Sequence, residues 1–388
     1  MNDRLIYLDH AATTPLDPRV LEAMMPFLTG MSGNASSIHQ VGRAALQALD
    51  DAREQTALVL NCQPKEIVFT GGGSESINLA IKGVAMALRA QGKTHLISSA
   101  IEHHAVLHAL DYLVEYEGFS VTLLPVDRSG RVNPVDLAAA IRPETALVSV
   151  MYANNETGVI QPITELAAIC HERGVLFHTD AVQAPGQLPL DVHALGVDLL
   201  SLTAHKFYGP QGVGLLYLRR GTPLAPQING GAQERRRRAG TENIAGIVGL
   251  AKALTIAESE RPSHTARLRA LSDCLIDGVL ARIPHSWLNG DRAHRLPGIA
   301  NLGFACIETE SLLLLLDQRG ICASSGSACT SGSLEPSHVL LAMGLSPDEA
   351  NGSIRFSLGR QTTESQIETL LDILPDLVAQ LRAVAPCA

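Results

Sequence analysis

The sequence predicts an α/β protein: a large domain built on a mostly parallel sheet, with a second, smaller α+β domain. Three observations carry this. Short apolar runs rich in β-branched residues alternate with amphipathic stretches through the middle of the chain, the pattern of strands and covering helices around a mostly parallel sheet. The chain has 388 residues, more than the roughly 250 to 300 at which one hydrophobic core stops growing. The polar cluster Ser259-Glu-Arg-Pro-Ser-His264 contains a proline breaker and suits a junction. The expected division is a large domain over 16–260 and a small domain formed by 1–15 and 261–388.

Taken in order, Arg43 to Leu60 and Ser76 to Leu88 carry apolar residues at helical spacing, with Leu46, Leu49 and Leu60 on the expected inner face. The buried strands are Glu66-Ile-Val-Phe-Thr, His95-Leu-Ile-Ser, Thr145-Ala-Leu-Val-Ser-Val, Gly174-Val-Leu-Phe-His and Asp198-Leu-Leu-Ser-Leu. Each ends near polar or glycine residues, and in open α/β sheets the carboxyl ends of the strands form the ligand crevice. Beyond the junction, a buried helix is expected over Glu310 to Gln318, stopped by Gly320, and a strand at Ser353-Ile-Arg-Phe-Ser-Leu.

Bulk properties exclude several classes. A formal charge of -9 argues against a nucleic-acid binder, which needs a basic face. The one dense basic run, Arg235 to Arg238, is either a solvated loop or a positive rim around an anionic ligand. Seven scattered cysteines do not resemble a secreted disulfide framework, so a reduced compartment is expected. The start has no signal-peptide pattern and no apolar run approaches the ~18 residues of a membrane span, which points to the cytoplasm and away from membranes. No metal is expected: His103 and His104 are adjacent, and Cys322 and Cys329 are too far apart for a CxxC pair.

Three segments carry chemistry. Phe69-Thr-Gly-Gly-Gly-Ser-Glu-Ser76 follows a strand and opens a helix, so backbone N–H groups converge on a candidate anion site; the alternative is a tight turn. It has neither the P-loop ending nor the dinucleotide spacing. His178-Thr-Asp-Ala-Val-Gln183 places Asp180 at a strand end, where a buried carboxylate calls for a cation such as a pyridinium nitrogen, unless it caps the next helix. In Ser201-Leu-Thr-Ala-His-Lys206-Phe-Tyr-Gly-Pro, Lys206 lies between a buried strand and a glycine-rich turn, where a lysine can form a Schiff base and act as a base.

Phosphate cradle, Asp and His-Lys in this order resemble the pyridoxal-phosphate enzymes of the aspartate-aminotransferase fold (fold type I). The small-residue segment Gly320-Ile-Cys-Ala-Ser-Ser-Gly-Ser-Ala-Cys329-Thr-Ser-Gly-Ser-Leu-Glu-Pro-Ser-His338 adds a thiol in an expected exposed, mobile loop, whereas Cys322 is expected to be buried. From Tyr7-Leu-Asp-His-Ala-Ala-Thr-Thr-Pro15 through that segment to Arg355-Phe-Ser-Leu-Gly-Arg360, the chain resembles the long-loop NifS/IscS-type cysteine desulfurases. Met151-Tyr-Ala-Asn-Asn-Glu-Thr-Gly, Phe177-His-Thr-Asp-Ala-Val-Gln-Ala and Arg219-Arg-Gly-Thr look closer to the nitrogen-fixation NifS branch.

That resemblance implies conversion of L-cysteine to L-alanine, with sulfur carried as a persulfide on Cys329 and passed to an iron–sulfur scaffold protein. It implies Lys206 as the lysine that holds pyridoxal 5'-phosphate, Asp180 on the ring nitrogen and Gln183 on the ring hydroxyl. His103 would stack on the ring and shuttle protons. Gly73, Ser74, Thr203 and His205 would hold the phosphate, joined by Thr241 across a homodimer interface, which brings the arginine run near the site mouth. Asn34, Asn155 and Arg355 would grip the substrate carboxylate, a task suited to Arg. Departures are modest: Ser74 and Thr203 exchange the expected hydroxyl residues, Gly71 replaces a frequent Ser, and His10 stands where Asn or Tyr is frequent. A selenocysteine lyase is the alternative. An aminotransferase needs no loop thiol, and a non-catalytic scaffold needs none of the set.

Overall fold

The computed structural model describes residues 5–30, 33–325 and 335–384. Its centre is a seven-stranded sheet in the spatial order Ile67–Thr70, Gly214–Leu218, Leu199–Thr203, Leu176–Asp180, Thr145–Ser149, His95–Ser99, Ser120–Leu124. The last five run parallel, and Gly214–Leu218 is antiparallel to both its neighbours. The α/β expectation is met, and the five strands read from apolar runs are all present.

Their starts shift for local reasons. Glu66 belongs to a short 3-10 turn, with its carboxylate accepting the Gln63 N–H. Gly174 sits at φ 66°, a left-handed turn conformation, so that strand begins at Leu176. Asp198 precedes its strand and accepts the Phe177 N–H. The helix Gln40–Leu60 buries Ala45, Leu49, Ala52, Thr56 and Leu60, a stripe of three- and four-residue steps that leaves Leu46 43% exposed. Leu46 is therefore not on the inner face.

The second core packs the antiparallel strands Ser286–Asn289, Ile299–Phe304 and Ser353–Ser357 against the helices Thr309–Gln318 and Glu364–Val384. The N-terminal strand Ile6–Tyr7 pairs in parallel with Ile321–Cys322, and Ile6 and Leu8 enter this core. The helix Thr309–Gln318 buries one face through Leu312 and Leu316 but exposes Leu314 at 65%, so it is amphipathic rather than buried throughout. Cys322, at the end of a two-residue strand, is half-buried and not buried as expected.

The junction expected at 259–264 is crossed by continuous helix. One helix, Ile244–Arg282, runs through it with Pro262 inside. Proline in a helix interior costs about 3 kcal/mol, but the apolar face continues on both sides. Leu250, Leu254 and Ala257 enter the large core, and Leu268, Leu271, Leu275 and Val279 enter the second. The polar stretch is the solvent-facing span between cores, with Arg261 paired to Glu258. Among the described residues no helix is long and apolar enough to cross a membrane.

Candidate active site

The carboxyl ends of the parallel strands open on a cavity of about 410 Å3 lined by Gly73, His103, Asn155, Asp180, Lys206 and Arg355 together with Ser74, Gln183, Thr203 and His205. Ten of the expected residues are thus brought together. Cys329 lies outside the described residues, but the flanks of its segment are bonded to the cavity residue Arg355 on one side and to Glu156 and Glu102, the chain neighbours of the cavity residues Asn155 and His103, on the other. Ser324 and Arg355 exchange backbone hydrogen bonds at 3.2 and 2.8 Å. On the other side Ser337 Oγ donates to Glu156 Oε2 at 2.6 Å, and His338 Nε2 donates to the Glu102 carbonyl, next to His103, at 2.9 Å.

Lys206 ends the short turn after strand Leu199–Thr203, and its Nζ donates to the carbonyls of Ala11 and Ala12, the latter at 2.8 Å. Gln183 Nε2 donates to the same Ala11 carbonyl at 3.0 Å. Asp180 ends its strand fully enclosed; its Oδ1 accepts the Val182 N–H at 3.0 Å, and burial pushes its carboxyl up to about 6. His103 caps the helix His104–Glu117, with Nδ1 accepting the Ala105 N–H at 3.1 Å. Burial first, and then the Lys206 charge, push it down to about 4, so the ring is neutral at pH 7 and its remaining proton is assigned to Nε2. His205 is likewise pushed down to about 4, by burial and by Lys206.

The glycine segment enters the helix Gly73–Leu88, whose start has no side-chain cap. Its backbone is tightly enclosed: a Cβ on Gly214 would lie 2.6 Å from the carbonyl carbon of Gly72. The Arg235–Arg238 run has a partner here. Arg238 Nε donates to Glu75 Oε1 at 2.8 Å while Glu75 Oε2 accepts the Gly71 N–H at 2.7 Å, so this arginine braces the glycine turn. Arg53 and Glu234 form a buried ion pair at 2.7 Å beneath it.

These residues fit the pyridoxal phosphate that the resemblance implies. An uncapped helix start offers N–H groups to a phosphate, and the enclosed Asp180 carboxylate, perturbed by burial, calls for a cationic partner. Lys206 lies on the same cavity. Two expected residues are not on the cavity: Asn34 is exposed, its Oδ1 accepting the Ser36 N–H, and Thr241 is exposed beside Arg238 and Gly71. Sequence reasoning missed Asp9, whose carboxylate meets Arg355, and the docking carbonyls of Ala11 and Ala12. It also missed Glu102, enclosed beside His103 and pushed up to about 8 by burial. A carboxylate in the quoted Tyr7-Leu-Asp9 run was the available signal for Asp9; backbone acceptors leave none. Among the described residues no group of three or more His, Cys, Asp or Glu could hold a metal ion.

The family model for class-V aminotransferases matches residues 6–370. The chain is 52% identical to the cysteine desulfurase IscS of Dictyoglomus turgidum, over 99% of this chain and 97% of that one. It is 50% identical to the cysteine desulfurase IscS of Methanosarcina thermophila, over 99% and 94%. A solved NifS-like protein superposes with a TM-score of 0.91 at 38% identity, covering 97% of this chain and 100% of that one.

Proposed function

The chain belongs to the class-V aminotransferase family, and from that premise we propose that it is a pyridoxal-phosphate-dependent cysteine desulfurase, converting L-cysteine to L-alanine and a persulfide on Cys329. The observation that carries this reading is one cavity lined by Lys206, Asp180, His103 and Arg355, with one flank of the Cys329 segment, Ser324, bonded to Arg355 and the other, Ser337–His338, bonded to the chain neighbours of Asn155 and His103. The relatives, named cysteine desulfurases, favour this over a selenocysteine lyase.

When bound, the cofactor supplies an electron sink for the pair left on the substrate α-carbon. Gly73, Ser74, Thr203 and His205 hold its phosphate, Asp180 its ring nitrogen and Gln183 its ring hydroxyl. Lys206 would hold it covalently, and its free amine would remove the substrate α-proton. Asn155 and Arg355 grip the substrate carboxylate, with Asn34 joining from its exposed loop. The Cys329 thiolate attacks the substrate sulfur; the new S–S bond forms as the C–S bond breaks, a proton delivered through His103 goes to the β-carbon, and the proton held on Lys206 returns to the α-carbon, completing alanine. The reading extends to a cytoplasmic homodimer in which Thr241 serves the partner's phosphate site, and to the division 16–260 against 1–15 and 261–388. An iron–sulfur scaffold protein takes the sulfur, and nitrogen fixation is the narrower assignment.

The test is alanine formed per subunit from L-cysteine without reductant, with Cys329→Ser in parallel. Wild type stopping near one alanine per subunit, with none from the variant, is expected. Equal alanine from both would move the sulfur-carrying role to another group.

A further inference from the structure

The two peptide carbonyls ahead of His103 are both held by side chains from elsewhere in the chain. Asn154 Nδ2 donates to the Ile101 carbonyl at 2.9 Å, and His338 Nε2 donates to the Glu102 carbonyl at 2.9 Å. The Glu102 side chain reaches the other way: its Oε1 accepts the Met151 N–H at 2.9 Å and the Ser99 hydroxyl. Met151 and Asn154 follow strand Thr145–Ser149, whereas Ile101 and Glu102 follow its parallel neighbour His95–Ser99. Each loop thus sends one side chain onto the backbone of the other, a reciprocal clasp between the segment that carries His103 and the segment that carries Asn155.

Glu102 and Asn154 are both fully enclosed, at 0% exposure. Asn154 uses both ends of its amide: Oδ1 accepts the Glu156 and Thr157 N–H groups, each at 2.9 Å, which shapes the turn after Asn155. The bonding partners of the Glu102 carboxyl, a hydroxyl and a peptide N–H, carry no charge, and its Oε2 has no hydrogen-bond partner among the described residues. An ionised carboxylate enclosed in this way would lack a counter-charge. Burial pushes the group up to about 8, so at pH 7 it is neutral and adds no second negative charge near Asp180.

We infer that Glu102 and Asn154 are positioning residues that set His103 on the cavity wall, Glu102 acting only as an acceptor through Oε1. This rests on the reading of His103 as the group that delivers a proton to the substrate β-carbon. The imidazole is tied at Nδ1 to the Ala105 N–H in its own segment, so a shift of that segment carries the ring with it. A misplacement of about 1 Å is enough to slow a reaction about a hundredfold.

Single-turnover alanine formation from L-cysteine on the cofactor-loaded enzyme reads this, with cofactor absorbance as the control for loading. Glu102→Leu strands the Met151 N–H, whereas Asn154→Asp keeps the oxygen that shapes the turn and loses the donor to Ile101. Each is expected to slow alanine formation about tenfold, the weight of one buried hydrogen bond. Glu102→Gln retains Oε1 and the packing, and is expected to run at the wild-type rate. In a His103→Ala background, Glu102→Leu and Asn154→Asp are expected to slow the reaction no further, because changes that act through one group do not add. Wild-type rates in both variants, a loss in Glu102→Gln equal to that in Glu102→Leu, or an undiminished further loss in the His103→Ala background overturns the inference. Wild-type alanine formation in His103→Ala alone would overturn the reading of His103, and the inference with it.

Discussion

Arg355 Nη2 donates to Asp9 Oδ1 at 2.7 Å, so the guanidinium proposed to grip the substrate carboxylate is held on one arm by an anion and on the other by the Asn155 carbonyl at 2.9 Å. Arg355 is only 2% exposed, so its aim depends on those acceptors. A charged hydrogen bond carries about 1.5–3 kcal/mol. Arg355→Lys is expected to raise KM for L-cysteine about a hundredfold, and Asp9→Ala about tenfold with a smaller change in kcat. Steady-state alanine formation measures both; an unchanged KM in Asp9→Ala would mean that Asp9 does not orient the guanidinium.

The cofactor-free protein should bind pyridoxal phosphate less well in acid. Burial raises the Asp180 carboxyl from 3.8 to about 6 in the folded chain. Between those values the folded chain holds a proton that the unfolded chain has released, so raising pH through that window destabilises the cofactor-free fold. A cationic ring nitrogen reverses this by favouring the ionised carboxylate. Affinity is therefore expected to fall about tenfold per pH unit below about 6, and Asp180→Asn should flatten that limb. Absorbance titrations of both proteins at a series of pH values would show it, and parallel curves would remove Asp180 from cofactor binding.

Arg53 and Glu234 are nearly inaccessible, at 5% and 3% side-chain exposure, and Glu234 also accepts the Phe69 N–H just before the glycine turn. Removing one partner of a buried pair strands the other charge. Arg53→Met is expected to cost about 3–5 kcal/mol in urea unfolding, with partial recovery when Glu234→Gln is added.

Gly214→Ala tests the close approach of two backbones. Its Cβ would meet the Gly72 carbonyl carbon at 2.6 Å and the Leu202 carbonyl oxygen at 2.7 Å, neither of which is a flexible side-chain end. Overpacking of this kind costs about 1–3 kcal/mol. The helix start carrying Gly73 and Ser74 must shift, and cofactor affinity is expected to drop about tenfold while far-UV circular dichroism stays unchanged.

Much of the large sheet was legible because its inner strands are buried on both faces and read as continuous apolar runs. Two strands were missed: the inner strand Gly214–Leu218, fully buried but taken with the glycine-rich turn that precedes it, and the edge strand Ser120–Leu124, where only Leu124 is buried and the alternation is too weak to stand out. Pro262 misled for a different reason, since a local breaker was judged without the two cores that hold the helix on either side. At the site, Lys206 and Asp180 were readable from their own segments, and His103, which came through the resemblance, is found with them on one cavity. Asn34 and Thr241 entered only through resemblance and lie off it. Glu102 and Asn154 were passed over because their significance lies in enclosure and in hydrogen bonds between loops, which a linear string does not display.

The helix Ile244–Arg282 is 39 residues long, about 58 Å at 1.5 Å per residue. It serves as a beam shared by two cores, so a protease nick near Ser263 would cut a structural member and not a tether. Each half would retain an apolar stripe seated in its own core, and the severed pieces should stay together through the remaining sheet and N-terminal contacts, comigrating on a sizing column until denaturant parts them.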